Sequence, residues 1–296
     1  MAQAICLGEL LIDFVPTVTG AGLIDAPAFI KAPGGAPGNV AVGLARLSVQ
    51  SAFMGKVGDD VFGHFLAQTL AETGVDVRPL RFSAEARTAL AFVSLRADGE
   101  REFMFYRHPS ADMLFNPREV DVEAIQQAQL LHFGSISLIG EPSRSATLYA
   151  VDTARDAGCL ISYDPNLRLP LWPDAEAART GMLLGLKKAQ IVKLSDDESE
   201  FLTGLCDLEA ARQALWHDDL KLMVVTRGRA GCVYFTPEFF GTVESFAVEA
   251  VDATGAGDGF VAGLLQGVLA DPAIIQDEAR LHELCRFANA VGALAT

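Results

Sequence analysis

Short apolar runs alternate with longer segments of helical spacing over much of this chain, and this alternation limits the folds open to it. The apolar runs read as buried strands at residues 4–7, 10–14, 130–133, 160–163, 191–194 and 222–225. Helical spacing recurs at roughly 143–157, 174–188, 196–202 and 208–217. Strands that alternate with helices form a parallel sheet covered on both faces, so the sequence predicts an α/β fold.

Polar residues stand at or just past the ends of several predicted strands. They are Asp13, Asp164, Lys193 and Thr226. Ligands of open α/β sheets bind outside the carboxyl ends of the strands, so we expect a ligand site at this edge. A buried strand has little reason to end in an unpaired carboxylate, and Asp13 is therefore either a cap of the next turn or a ligand acceptor.

Two segments lack the alternation of strands and helices. Residues 15–31 contain glycine and proline and have little helical period, and residues 87–107 read as two strands around a turn at 97–100. The turn contains Asp-Gly, which is a hairpin signal. We interpret both segments as a small β-sheet that stands off the main domain.

Composition excludes several function classes. The 296 residues carry a formal net charge of −15, which argues against a nucleic acid or an anionic membrane as partner, although a local loop can still bind phosphate. The five cysteines are widely spaced without a Cys-x-x-Cys pair, which favours a reducing cytosol. No secretion signal and no apolar run of membrane-spanning length is apparent, and the histidines show no metal-ligand spacing.

A glycine-rich turn near the end of the chain opens a helix. Residues 250–260 read Ala-Val-Asp-Ala-Thr-Gly-Ala-Gly-Asp-Gly-Phe. Gly255 and Gly257 allow positive φ and close approach of a ligand, and the free N–H groups of a helix start form an anion site. Asp258 would repel a bound phosphate unless it accepts the proton of a hydroxyl that attacks the phosphorus. The alternative is a glycine turn capped by an acidic residue.

A second glycine cluster precedes another helix. Residues 33–47 run from Pro-Gly-Gly-Ala-Pro-Gly-Asn into Val40, Leu44 and Leu47 at helical spacing. Its two glycines, Gly34 and Gly35, let the backbone approach a ligand. The cluster is neither a Rossmann fingerprint nor a Walker A loop, which disfavours a nucleotide-binding oxidoreductase.

Together the two clusters resemble the two signatures of the PfkB family of carbohydrate kinases. Residues 34–41 match Gly-Gly-x-Pro-x-Asn-Val-Ala, and residues 252–260 match Asp-x-Thr-Gly-Ala-Gly-Asp-x-Phe. Residues 163–168 with 171–173, 105–114 and 193–198 resemble the fructokinase branch. The resemblance covers the whole chain. It implies a ribokinase-like three-layer sandwich, with a central, mostly parallel sheet in one domain over 1–296 and a small β-sheet lid from approximately 14–33 and 86–108.

The resemblance also assigns roles in sugar binding. It implies that the sugar is held by Asp13, Gly34, Gly35, Asn39, Arg107 and Arg168. Asn39 is also a candidate N-cap of its own helix, Arg168 a candidate partner in a local ion pair, and Arg107 a candidate solvated surface residue. The lid is expected to cover the sugar and often to form a dimer interface.

Nucleotide and metal roles follow from the same resemblance. It implies ATP contacts by Lys193, Glu198, Thr226, Gly228, Gly231, Gly255, Gly257 and Asn289, and a monovalent cation such as K⁺ near Asp252 and Thr254. Glu198 would reach Mg²⁺ through water, although Ser195 replaces the usual Asn of Asn-x-x-Glu and an acidic first helical turn is the alternative. Relatives usually continue past the position of Thr296 through a loop that helps to close the adenine pocket and the cation site.

The sequence therefore predicts a cytoplasmic, ATP-dependent kinase that converts fructose to fructose 6-phosphate. Asp258 is the expected base, and the amides of Gly255, Ala256 and Gly257 are expected to stabilise the transferred phosphoryl group. A 2-keto-3-deoxygluconate or riboside kinase of the same fold remains an alternative. So does a non-catalytic sugar-binding regulator, which the intact Gly-Ala-Gly-Asp disfavours.

Overall fold

The computed structural model describes residues 2–18, 20–95, 101–248 and 255–295, with the backbone alone at 95, 101 and 102. The strands are β1 (Ala4–Leu7), β2 (Leu11–Pro16), β3 (Phe29–Gly34), β4 (Ser51–Gly58), β5 (Leu80–Ser83), β6 (Ala89–Leu95), β7 (Arg101–Tyr106), β8 (Leu130–Phe133), β9 (Leu160–Tyr163), β10 (Ile191–Ser195), β11 (Leu222–Thr226), β12 (Cys232–Phe235) and β13 (Phe240–Val243). The helices are α1 (Ala36–Arg46), α2 (Val61–Glu72), α3 (Val122–Gln126), α4 (Ser143–Asp156), α5 (Ala175–Leu186), α6 (Asp196–Thr203), α7 (Leu208–Leu215), α8 (Ala256–Ala270) and α9 (Glu278–Leu294).

The main sheet is mostly parallel, as predicted. Its order is β13-β12-β11-β10-β9-β8-β1-β4-β5, and the pairs β11–β12 and β12–β13 are antiparallel. The chain builds to one side of β1 through β4 and β5 and to the other side through β8 to β13. Such a reversal leaves a crevice at the carboxyl ends of the strands, which is where α/β proteins bind ligands.

Helices cover both faces of this sheet, which explains why the central strand β1 is wholly apolar. In β1, Ala4 and Cys6 pack into a core with α1, α2, α8 and α9. Ile5 and Leu7 point the other way, into a core with α3 to α7. Side chains alternate between the faces of a strand, so a strand buried on both faces needs an unbroken apolar run.

A smaller sheet with the order β3-β2-β6-β7 stands apart from the main sheet. The predicted hairpin strands are confirmed, because β6 and β7 pair antiparallel with Leu90 opposite Tyr106, while the predicted turn at 97–100 lies outside the described residues. The small sheet begins earlier than predicted. Strand β2, assigned to the main domain up to residue 14, pairs with β3 and β6 instead.

Candidate active site

A cavity of about 290 Å³ lies between the two sheets. The small sheet contributes Leu11, Asp13, Val15, Val93, Ser94, Phe103 and Phe105, and the main body contributes Glu9, Gly35, Ala36, Asn39, Ile136, Asn166, Arg168, Lys193, Gly255, Gly257 and Asp258. We call it the first cavity. Its walls combine apolar rings with several polar groups, which is typical of a site that binds a small polar molecule.

Asp258 lies at the start of α8 and is almost fully buried. The helix begins at Ala256, so Asp258 is its third residue and lies near the positive end of the helix dipole. Asn39 Nδ2 donates a hydrogen bond to Asp258 Oδ2 at 2.8 Å, and Asn166 Nδ2 lies 3.4 Å from Oδ1. Burial raises the pKa of Asp258 to about 7, although the hydrogen bond from Asn39 opposes the shift. A carboxyl with this pKa can accept a proton near neutral pH.

The two glycines before Asp258 have different roles. Gly255 is the N-cap of α8 with φ of 86°, as predicted, and a side chain would strain this backbone. The prediction of positive φ was wrong for Gly257, which lies inside the helix. Gly257 is needed for space instead, because a Cβ there would lie 3.2 Å from Lys193 Nζ.

Lys193 forms a buried ion pair beneath this turn. Its Nζ lies 3.0 Å from Asp164 Oδ2, and both side chains are at most 10% exposed. Burial alone would lower the pKa of Lys193, but the nearby carboxylates of Asp164, Glu198 and Asp258 raise it, so the ammonium stays charged. Lys193 was expected at the nucleotide, and in the structure it lines the first cavity.

The first turn of α1 brings Asn39 to Asp258. The N-cap of α1 is Gly35, with φ of 106°, so the alternative that Asn39 caps its own helix is wrong. Asn39 lies inside the helix, and its backbone N–H donates to Gly35 O at 3.0 Å. Its side chain is therefore free to point at Asp258.

Asp13 enters the cavity from the small sheet. It was expected at the end of a strand, but it lies in the middle of β2 opposite Ala32 and Ala91. A Cβ at Gly34 would collide with the Asp13 carboxylate, so Gly34 leaves room for that side chain. Gly34 is not among the lining residues, whereas Gly35 is.

The two arginines predicted at the sugar occupy different surroundings. Arg168 lines the cavity, donates to Asn166 Oδ1 at 2.6 Å, and lies 5.7 Å from the ring centroid of Phe103 in the small sheet. Arg107 is only 4% exposed and pairs with Asp112 at 2.7 Å. It is therefore not a solvated surface residue, and the first cavity is lined without it.

A second cavity of about 510 Å³ adjoins the first. Five residues predicted at the nucleotide line this cavity: Thr226, Gly228, Gly231, Gly257 and Asn289. Ala256, predicted to stabilise the transferred phosphoryl group, lines it as well. Apolar side chains that the sequence did not single out, including Phe246 and Val248, complete the wall. Gly257 lines both cavities, so the first turn of α8 is their shared wall.

Glu198 is buried and is not a lining residue of either cavity. Its Oε1 accepts a hydrogen bond from Leu167 N at 2.7 Å, and its Oε2 accepts one from Ser195 N at 2.8 Å. Ser195 caps α6 through the N–H of Glu198, which completes a capping box. Glu198 thus ties the loop that carries Arg168 to the start of α6. The candidate cation ligands Asp252 and Thr254 lie outside the described residues.

The structure adds site residues that the sequence did not indicate. Asn166 has a positive φ of 48° and faces Asp258. Glu9, two residues past the end of β1, is 3% exposed and lines the first cavity. The sequence signal for Glu9 was an acidic residue after an apolar strand, the same signal that singled out Asp13.

A family model described as pfkB family carbohydrate kinase matches residues 1–296. The chain belongs to this family. Probable fructokinase-3 of Arabidopsis thaliana is 56% identical to the kinase over 293 residues, which are 99% of this chain and 85% of that protein. Fructokinase-2 of Solanum lycopersicum is 55% identical over 293 residues, covering 99% and 89% of the two chains.

Solved structures of carbohydrate kinases share the fold. Fructokinase with bound ATP from Xylella fastidiosa matches with a TM-score of 0.91 and 36% identity, over 100% of this chain and 92% of the other. A fructokinase double mutant from Vibrio cholerae O395, bound to fructose, ADP and potassium ion, matches with a TM-score of 0.90 and 38% identity. The match covers 100% of this chain and 92% of the other. The kinase has no helix among its described residues that is long and apolar enough to cross a membrane.

Proposed function

We propose that this kinase transfers the γ-phosphoryl group of ATP to the hydroxymethyl group of fructose and forms fructose 6-phosphate. The observation that carries the proposal is the position of Asp258, a buried carboxyl at a helix start that lines the first cavity next to Gly257, which lines both cavities. The names of the similar plant proteins, fructokinases at 56% and 55% identity, support fructose as the acceptor.

Asp258 is the proposed base. A hydroxyl in the first cavity would donate its proton to the carboxylate while its oxygen attacks the phosphorus. The N–H groups of Gly255, Ala256 and Gly257 would stabilise the charge that develops on the phosphoryl group, because the first N–H groups of a helix have no partner within the helix and lie at the positive end of its dipole. Lys193 adds a fixed positive charge below the same turn.

Sugar binding is assigned to polar groups around the first cavity. Asp13, Gly35, Asn39 and Arg168 all line it and can donate or accept hydrogen bonds to hydroxyls. Gly34 would act indirectly through Asp13. Direct contact between Arg107 and the sugar stays a prediction. Holding the acceptor in place makes the transfer a positioned in-line reaction.

ATP fits the second cavity. Thr226, Gly228, Gly231 and Asn289 would bind the nucleotide, and apolar residues such as Phe246 suit a base. Among the described residues no cluster of acidic, histidine or cysteine side chains is arranged to hold a metal ion, so Mg²⁺ would arrive with the phosphates of ATP. Bound with ATP, Mg²⁺ would neutralise phosphate charge. The contact of Mg²⁺ with Glu198 through water stays a prediction. The binding of K⁺ near Asp252 and Thr254 also stays a prediction.

The small sheet is proposed as a lid and as a dimer surface. On its other face Phe14 and Phe92 stack at 4.9 Å and Tyr106, 57% exposed, packs on Phe92 at 5.7 Å. Tyr106 is exposed while Phe14 and Phe92 are half-buried, and we propose that this aromatic surface contacts a second copy of the chain in the cytoplasm. Light scattering measures the molar mass that this proposal requires.

The function is tested by ATP consumption with a panel of acceptors. The panel contains fructose, ribose, 2-keto-3-deoxygluconate and a purine riboside. We expect the highest kcat/KM for fructose, because a site with buried polar groups discriminates against sugars that leave them unpaired. A higher value for another acceptor would contradict the fructokinase assignment and leave the kinase standing, and no ATP consumption with any acceptor would contradict catalysis itself.

A further inference from the structure

Glu9 is a buried carboxyl at the junction between the two sheets. It follows Gly8 at the end of β1, and β2 of the small sheet begins two residues later. Its Oε1 lies 3.3 Å from Ala36 N, the first residue of α1, and can accept a hydrogen bond from it. Its Oε2 is buried and has no hydrogen-bond partner within the described part of the chain. A buried acceptor without a donor is unfavourable, so the second oxygen points to a missing partner.

The neighbouring charges do not supply that partner. The backbone N–H of Glu9 and the positive charge of Arg107 both lower the pKa of Glu9, but the Arg107 guanidinium pairs with Asp112 and lies 3.4 Å from Ile136 O. Asp112 opposes the effect of Arg107, and burial raises the pKa of Glu9 to about 7. The carboxyl is thus poorly compensated by protein groups, and it lines the first cavity.

One turn of α1 connects the Glu9 and Asp258 ends of the first cavity. Ala36 N faces Glu9, and the side chain of Asn39 binds Asp258. Ala36 and Asn39 are three residues apart in this turn, a rise of about 4.5 Å along the helix axis, and Glu9 and Asp258 both line the same cavity of about 290 Å³. A sugar with one hydroxyl at Asp258 can therefore place a different hydroxyl at Glu9.

We propose that Glu9 determines sugar specificity: its Oε2 accepts a hydrogen bond from a hydroxyl other than the one that is phosphorylated. This inference rests on the proposed function, because it needs a polyhydroxylated acceptor in the first cavity. The competing explanation is structural, with Glu9 holding only the start of α1 through Oε1.

The test compares the wild-type kinase with Glu9→Gln, which keeps an oxygen for Ala36 N and replaces the other oxygen by a donor. Glu9→Asp is a second variant that keeps the charge and withdraws it from the hydroxyl. Glu119→Gln is the matched control, because Glu119 also accepts a backbone N–H, from Asn116 at 3.0 Å, and is not a lining residue of the cavity. Acceptors are fructose, 1-, 3- and 4-deoxyfructose, and 2,5-anhydromannitol, each of which keeps the 6-hydroxymethyl group.

We expect Glu9→Gln to lower kcat/KM for fructose about 10- to 100-fold, mainly through the KM for sugar, with the KM for ATP within about twofold. One analogue lacks the hydroxyl that Glu9 binds. For that analogue, the kcat/KM of the wild type divided by the kcat/KM of the variant should fall towards 1. Glu9→Asp should single out the same analogue, and Glu119→Gln should change none of these values.

An equal loss on every analogue, or a parallel rise in the KM for ATP, would overturn the inference and show that Glu9 is structural. That result is separate from failure of the proposed function, in which the wild type would phosphorylate none of the sugars. If the wild type prefers another acceptor, the deoxy series of that sugar replaces the fructose series.

Discussion

Replacing the carboxyl of Asp258 is expected to remove most activity and, unusually for a buried site, to stabilise the folded kinase at alkaline pH. Asp258→Asn should lower turnover about 10²- to 10⁴-fold, because the amide cannot accept the proton of the attacking hydroxyl. The stability effect arises because burial raises the pKa of this carboxyl from 3.8 to about 7. The folded state therefore binds the proton more tightly than the unfolded chain does.

The sign and size of the stability effect follow from this difference. A raised carboxyl pKa costs stability wherever the unfolded chain is ionised, so the cost grows as pH rises above 3.8 and is complete above about 7. Each pH unit between the two values is worth about 1.4 kcal/mol, which gives a cost of about 2 kcal/mol at pH 5 and about 4 kcal/mol at pH 8. Asp258→Asn removes this cost.

The substitution also changes hydrogen bonding at the site. The amide oxygen can keep the bond from Asn39, now at 2.8 Å, while the amide nitrogen would face Asn166 Nδ2 at 3.4 Å, donor against donor. That contact costs about 1–3 kcal/mol and does not depend on pH. Two of the pH units between pH 5 and pH 8 lie below the raised pKa of about 7, so the variant should gain about 3 kcal/mol relative to wild type over this range, whatever the constant offset.

Urea unfolding at pH 5 and pH 8 measures this change, with turnover measured on the same preparations. Asp60→Asn is the matched control. The pKa of Asp60 is lowered: burial opposes the shift, but hydrogen bonds from Thr88, Gly63 and Phe62 outweigh it. Its contribution to stability is lost only at acid pH, so the gap between that variant and wild type should be the same at pH 5 and pH 8. A constant gap for Asp258→Asn would refute the raised pKa, and near-normal turnover would refute its role as base.

Two further changes probe the shared wall and the small sheet. Gly257→Val should abolish most catalysis with a modest loss of stability. The reason is that its Cβ would lie 3.2 Å from Lys193 Nζ and its methyl groups would enter the cavities. Gly140→Val is the control, because a Cβ at Gly140 would have no neighbour within 4 Å. Steady-state kinetics and thermal melts measure both, and an active Gly257→Val variant would show that no phosphate approaches this backbone. Saturating fructose should slow hydrogen exchange in residues 14–33 and 88–106 but not in β9. The inner face of the small sheet lines the first cavity, and the fully buried apolar core of the small sheet is limited to Leu11, Ala89 and Ala91. Unchanged exchange in a preparation that binds fructose would mean that the small sheet is static.

The main sheet was predictable because its strands are buried on both faces. The bounds of β1, β8 and β9 were predicted to the residue, since each is a short apolar run with at most one small polar or histidine residue, such as His132 in Leu130–Phe133. Strand β4 was not predicted. It is Ser51–Gly58 and mixes glycine, serine and lysine with its apolar residues, so it lacks such a run.

The site was predictable where residue type alone limits the chemistry. Asp258 and Asn39 were named from their motifs, and the structure brings them within 2.8 Å although they are 219 positions apart. Local pattern could not show which partner a charge would choose: Arg107 follows a hairpin, and only the folded chain places Asp112 beside it. Glu9 was missed for the same reason, because its unpaired oxygen is a property of burial.

The shared wall between the cavities has a consequence for inhibitor design. Since Gly257 lines both cavities, one molecule that joins a furanose to adenosine through a short polyphosphate would occupy them together. The connecting phosphates would run across the first turn of α8, where N–H groups are available to an anion. Tethering the two halves makes binding of the second intramolecular, so such a compound should bind more tightly than either half alone.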